Sequence, residues 1–317
     1  MKFDPKTTAF VFPGQGSQSP GMGKDLAAQY PIAKQTFEEA DSILGFSLSR
    51  MMWEGLEADL NDTLNTQPAL YVHSLAAFRT LVHLYPDFKP AALVGHSLGE
   101  LSALAASGAL SFDGGLRLVR RRGELMKRAG DLAPGGMAAI LGLDIPTLDR
   151  ICGQASMADE RVQVANDNCP GQVVISGAKA AVERAIAGAK DAGAKRALPL
   201  AVSIAAHSPL MASIQDDWNA TVEVATFNNP NIPVVGNVHA AMFSDAASAR
   251  ADIMAQMQSR VRWTESVKTM LGLGILTFVE VGSGNVLIGL LKRITTEAGV
   301  LGLTLGTPND FAALAGE

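Results

Sequence analysis

Ser97 stands at the centre of Gly95-His96-Ser97-Leu98-Gly99, with a glycine two residues away on each side. That spacing lets a chain turn sharply from a strand into a helix. The turn lifts the hydroxyl into the open and aims the next N–H, with the helix N-terminus, at a developing oxyanion. Plain tight turns carry the same pentapeptide, so the flanking elements must decide between the two readings. A serine nucleophile also needs a base. Of the five histidines, His73 and His83 fall within a helical pattern and read as packing or surface residues. His96 adjoins the serine, and neighbours in such a turn point apart. His239 reads as a loop residue. His207 closes the apolar residues 200–206 directly before a Ser208-Pro209 helix start, at the kind of strand end where functional residues of α/β folds collect. Position favours it without excluding the others.

Arg122 is the residue out of place. On a wheel drawn at about 100° per residue, Leu116, Leu118, Val119, Gly123, Leu125 and Met126 share one arc, and Arg122 falls in its middle. Arg117, Arg120, Arg121, Glu124, Lys127 and Arg128 lie opposite. A buried guanidinium is costly unless it meets an anion. Two anions fit: an internal Asp or Glu, or the carboxylate of a substrate gripped in a bidentate fork. Gly14-Gln15-Gly16-Ser17-Gln18 has the look of a dinucleotide loop, but Ser19 occupies the third glycine position of that fingerprint. Its flexible backbone suits a second oxyanion donor instead.

The elements needed to hold these residues are visible around them. Residues 7–12 form a β-prone run that ends at the Pro13-Gly14 turn, and residues 91–95 read as a buried strand entering the serine turn. A helix bearing Leu101, Leu104 and Ala105 follows. Pro68 is placed as a helix start, with Tyr71, Ser74, Leu75, Phe78 and Val82 at helical spacing. A last strand over 276–281 ends at Gly282-Ser283-Gly284 before a helix from Val286. Between them, residues 137–200 alternate as β-α-β-β-α-β, the ferredoxin-like order. The expected fold class is α/β. A large α/β-hydrolase-like domain of residues 1–129 and 201–317, with a mainly parallel sheet, carries an inserted small ferredoxin-like subdomain of residues 130–200.

Composition narrows the possibilities. The 317 residues are 48% hydrophobic and 18% charged, with a formal net charge of −5 and no long block of either sign. Nucleic-acid binding, which needs a clustered basic surface, is not expected. Cys152 and Cys169 lack the spacing of a zinc site or a disulfide framework. No apolar run reaches the length of a membrane span, and residues 1–6 have no leader character. A soluble, cytoplasmic protein without a metal is the expectation. Arg117, Arg120, Arg121 and Arg128 form a basic helix face that suits either solvent or an acidic partner.

Together these motifs resemble the malonyl-CoA:acyl carrier protein transacylase family. Residues 12–18, the Gly95-to-Glu100 turn, Arg122-Gly123-x-x-Met126, the Asn-x-Asn-x-Pro-Gly-Gln run within 166–177, residues 202–208 around His207, and Gln256 seven residues before Trp263 match its motifs in order. The resemblance implies a ping-pong transfer of malonyl from malonyl-CoA to the phosphopantetheine thiol of acyl carrier protein, feeding fatty-acid synthesis. Ser97 is then the nucleophile and His207 its base. The backbone N–H groups of Gln15 and Leu98 form the oxyanion hole, and Arg122 binds the malonyl carboxylate. The backbone carbonyl of Gln256 orients His207 in place of an aspartate. It further implies a monomer with no tightly bound cofactor. Ala205-Ala206 depart from residues common in relatives, which suggests a roomier pocket beside His207, and Arg260, in the loop bearing Gln256, stands where relatives often have proline. Two rivals are an α/β-hydrolase-type esterase, which expects its histidine near the C-terminus, and a non-catalytic carrier-protein-binding module.

Overall fold

In the computed structural model, which describes residues 4–202 and 204–315, nine strands form two sheets. In chain order they are β1 Thr8–Phe12, β2 Ala92–Gly95, β3 Gly135–Leu141, β4 Val162–Cys169, β5 Gln172–Ala178, β6 Arg196–Pro199, β7 Val234–Val235, β8 Thr277–Val281 and β9 Leu301–Leu305. The first sheet runs β7-β2-β1-β8-β9, and every pairing in it is parallel. Both its faces are covered, which explains why its strands read as unbroken apolar runs. Phe10 and Phe12 of β1 and Leu93 of β2 enter a core beneath helices Thr63–Leu84, Leu98–Ala106 and Phe112–Leu132. Ala9, Val11, Ala92 and Val94, pointing the other way, pack against helices Trp263–Gly272 and Val286–Ile294.

The second sheet is antiparallel, in the order β4-β5-β3-β6. With helices Ile145–Ala155 and Lys179–Asp191 it makes the expected ferredoxin-like unit and has its own core around Ile140, Ile151, Ile175 and Val182. β4 carries two register irregularities. Between them it bridges to Val261, with Asp167 N–H donating to Val261 O and Val261 N–H to Ala165 O, at 2.9 and 2.8 Å. The small sheet thereby grips the loop that follows Gln256.

Two elements differ from expectation. The helix assigned to start at Pro68 begins at Thr63, capped by Asp62, and Pro68 lies inside it. A proline leaves the carbonyl four residues back without its helical donor. Here that carbonyl, Leu64 O, accepts from Arg120 Nη1 at 3.1 Å, so the neighbouring helix repairs the defect. Ser208 does cap a turn, but it is a 3-10 segment, Pro209–Ile214, before the α-helix Gln215–Val224. Within the motif around His207, Ser203 lies outside the described residues.

Candidate active site

The C-terminal ends of β1 and β2 bring the chemistry together. Gly95 and Gly99 are small of necessity: a Cβ on Gly95 would strike the Gly99 backbone, and one on Gly99 would strike the Phe12 carbonyl. Between them Ser97 adopts φ 52°, ψ −106°, a strained conformation worth on the order of 1–3 kcal/mol that surrounding contacts must hold. His96 N–H is tied to Phe12 O at 3.0 Å. Asn237, just past β7, clamps the turn from the other side. Its Oδ1 accepts from Ser97 N–H and its Nδ2 donates to Gly95 O, both at 2.7 Å. With Gly99 N–H bonded to His96 O and Glu100 N–H to Ser97 O, Leu98 N–H is the first amide of the new helix. Gly14 packs so closely on His96 O that it has no room for a side chain. Gln15 therefore follows at the rim of the serine turn, its Oε1 accepting from Thr63 Oγ1 at 3.1 Å.

His207 meets the serine directly, with Nε2 2.7 Å from Ser97 Oγ. Its Nδ1 faces two carbonyl oxygens, Gln256 O at 2.9 Å and Ser259 O at 3.1 Å. Carbonyls only accept, so Nδ1 carries the proton and Nε2 offers its lone pair to the hydroxyl. Among the described residues no carboxylate takes part in this orientation. Gln163 of β4 donates from Nε2 to His207 O and Gln258 O, both at 2.9 Å, fastening the histidine to the Gln256 loop. Burial first, and the nearby Arg122 cation second, push the imidazole pKa down to about 3. The resting imidazole is neutral.

Arg122 is 2% exposed. Nη1 donates to Gln67 Oε1 at 2.9 Å, and Nη2 to Gln256 Oε1 at 2.9 Å and Ser97 Oγ at 3.1 Å. Nε is buried without a partner among the described residues. Burial lowers its pKa to about 10, which leaves it charged at neutral pH. Among the described residues no carboxylate forms an ion pair with it; its partners are all neutral. Gln256 is thus engaged twice, holding His207 with its backbone and Arg122 with its side chain.

The other histidines stand apart. His73 is buried and donates from Nε2 to Gly306 O at 2.9 Å. His83 and His239 are exposed. His96 bonds Asn168 Oδ1 of β4 at 2.9 Å and so braces the turn. The basic helix face is matched by acids: Arg117 pairs with Asp113, Arg120 and Arg121 with Glu124, and Arg128 with Asp217. Arg260 pairs with Asp149, a further tie between the Gln256 loop and the small sheet's helix. Asn237, Gln67 and Gln163 were not expected from sequence. They are single amides far along the chain from their partners, with no local pattern to mark them.

Residues 9–302 match the family model described as an acyl transferase domain. The chain is therefore an acyltransferase by fold and family. A malonyl CoA-acyl carrier protein transacylase of Haemophilus influenzae is 47% identical over 289 residues, covering 91% of this chain and 92% of that one. One of Escherichia coli K12 is 44% identical, covering 97% of each. The crystal structure of an acyl carrier protein S-malonyltransferase from Vibrio cholerae superposes with a TM-score of 0.93 at 42% identity, covering 97% of this chain and 99% of that one. A malonyl-transacylase in complex with a type II PKS acyl-carrier protein gives 0.91 at 41% identity, covering 98% and 99%. This chain belongs to the malonyl CoA-acyl carrier protein transacylase family.

Proposed function

We propose that the protein moves malonyl from malonyl-CoA to the phosphopantetheine thiol of an acyl carrier protein through an ester on Ser97, supplying fatty-acid synthesis. Ser97 Oγ attacks the thioester carbonyl while its proton passes to His207 Nε2. The oxyanion lies against Leu98 N–H and Gln15 N–H. Collapse expels coenzyme A as its thiolate, which takes the proton from His207. The carrier's thiol then gives its proton to His207 and attacks the ester, and Ser97 recovers the proton on leaving. Arg122 pairs with the malonyl carboxylate throughout, and the Gln256 carbonyl keeps His207 in the required tautomer. The chemistry needs no resident cofactor. Residues 130–200 act as an inserted subdomain whose β4 and Gln163 brace the cleft made by residues 1–129 and 201–317. We place the protein in the cytoplasm as a monomer; no helix among the described residues is long and apolar enough to cross a membrane.

One observation carries this reading: a buried guanidinium with only neutral partners, 3.1 Å from an activated hydroxyl. It discriminates against an esterase, which has no use for a fixed cation there. The test is to incubate the protein with radiolabelled malonyl-CoA and no carrier. A label on Ser97 that holo-carrier protein removes quickly and water slowly is expected. An unlabelled serine, or steady hydrolysis of p-nitrophenyl acetate, would defeat the proposal.

A further inference from the structure

Behind the reacting groups lies an acid that the mechanism does not use. Glu100, in the first turn of the helix that starts at the nucleophile, is 0% exposed. Its Oε2 accepts from Gln256 Nε2 at 2.7 Å and from Asn237 N–H at 3.3 Å. Among the described residues its Oε1 has no donor, and the Glu100 carboxyl meets a second carboxyl, Asp252, on the helix Ala246–Gln256. Asp252 accepts from Val238 N–H at 3.3 Å. Two facing, buried carboxyls cannot both be ionised cheaply, whereas one proton between them converts repulsion into a hydrogen bond.

Gln256 makes the charge of Glu100 consequential. One side-chain amide donates to Glu100 and to Ser97 O, and its oxygen accepts from Arg122. An ionised Glu100 would lie one amide away from the guanidinium as a permanent counter-charge, the internal partner that Arg122 otherwise lacks. We propose that Glu100 is a positioning residue that works as an uncharged carboxylic acid, sharing a proton with Asp252, so that it orients Gln256 without claiming the positive charge of Arg122 that selects the substrate.

The surroundings agree. Burial first and Asp252 second raise the Glu100 pKa well above the ordinary carboxylate range, and burial raises that of Asp252 as well. The remaining charged or titratable groups facing the pair are Arg122, beyond the Gln256 side chain; His207, beyond the Gln256 backbone; and His239, whose charge acts on Asp252.

The proposal rests on Arg122 as the carboxylate clamp, so R122A is measured alongside: if R122A keeps its donor preference, the clamp reading fails, and the Glu100 variants are informative only where R122A behaves as expected. Initial rates with malonyl-CoA and acetyl-CoA are compared for E100A, E100Q, D252N and E100Q/D252N. E100A should lower malonyl kcat/KM by about tenfold to a hundredfold, the loss expected when a buried amide is left without its partner. Gln at 100 keeps the acceptor and the neutrality, so E100Q should recover to within about threefold of the native value, with the malonyl:acetyl ratio retained. In D252N the new amide can donate to Glu100 and stabilise its ionised form. The KM for malonyl-CoA should then rise by about tenfold, and the E100Q/D252N double variant should reverse that rise. A merely structural acid would not produce this reversal. E100Q as poor as E100A with native melting, or a double variant no better than D252N, overturns the proposal. Should E100Q not fold, carboxyl-carbon NMR of the native protein decides: Glu100 protonated at neutral pH supports the proposal and Glu100 ionised overturns it.

Discussion

Replacing Arg122 by alanine should collapse the preference for malonyl over acetyl donors. The size of the effect follows from how the guanidinium is held. Fully buried, it meets Gln67 Oε1, Gln256 Oε1 and Ser97 Oγ, none of them charged. A malonyl carboxylate would replace neutral acceptors with an anion, and charge-assisted bonds are roughly twice as strong as neutral ones. Leaving a buried charge unpaired costs about 3–5 kcal/mol. Because the resting protein already gives Arg122 three neutral oxygen acceptors, the lower end applies, about 3 kcal/mol or some two decades in rate ratio. In R122A the malonyl carboxylate becomes the unpaired buried charge, so malonyl kcat/KM should fall about a hundredfold or more while acetyl transfer holds or improves. Release of the coenzyme A thiol, followed for each donor over a range of concentrations, measures both. A malonyl:acetyl ratio in R122A within about fivefold of the native ratio would refute the reasoning.

The serine turn and His207 each carry a further expectation. Gly99→Ala places a Cβ on the Phe12 carbonyl, a backbone contact that cannot relax cheaply. It should destabilise by about 1–3 kcal/mol and lower kcat through displacement of Ser97; native melting together with a native rate would exclude the close approach. His207 titrates near 6.5 when unfolded and at about 3 when folded. Between those values the unfolded chain binds a proton that the folded one does not, so stability falls as the pH drops. At pH 5 the deficit is on the order of 2 kcal/mol, and H207A should be spared it. Urea unfolding at pH 7 and pH 5 checks this, and parallel losses in the two proteins would contradict the burial of a neutral imidazole.

Local pattern made the side chains that converge at the site legible, and long-range convergence hid their supports. Ser97 announced itself because a strained turn needs small residues at fixed offsets, and Gly95 and Gly99 are packed against backbone as that reasoning requires. Arg122 was visible because a helix period exposes any charge on an apolar arc. Asn237 reaches Ser97 across 140 residues, and Gln67 reaches Arg122 across 55. Neither amide breaks a local rule, so no periodicity singles it out. The misplaced helix start at Pro68 has a similar origin. Proline is favoured at a first turn, and only a neighbouring helix, through Arg120, makes it acceptable deeper in. The arginine face opposite Arg122 read as basic because its acids, Asp113, Glu124 and Asp217, come partly from within the helix and partly from elsewhere.

The guanidinium proposed to select the donor also acts on the proposed base, His207. Arg122 and His207 both bond Ser97 Oγ, and the guanidinium is the second cause, after burial, of the depressed imidazole pKa. A proton arriving on His207 during attack therefore meets a like charge across a single oxygen atom. Under the proposed mechanism a malonyl carboxylate on Arg122 cancels that repulsion when the imidazolium forms, and it stays in place while the carrier's thiol delivers its proton in the second half-reaction. An acetyl donor leaves the repulsion intact. Discrimination then has two sources, weaker binding and a poorer base. It belongs in kcat as well as in KM, because only a carboxylate-bearing acyl group lets the selecting cation and the imidazolium coexist around one hydroxyl.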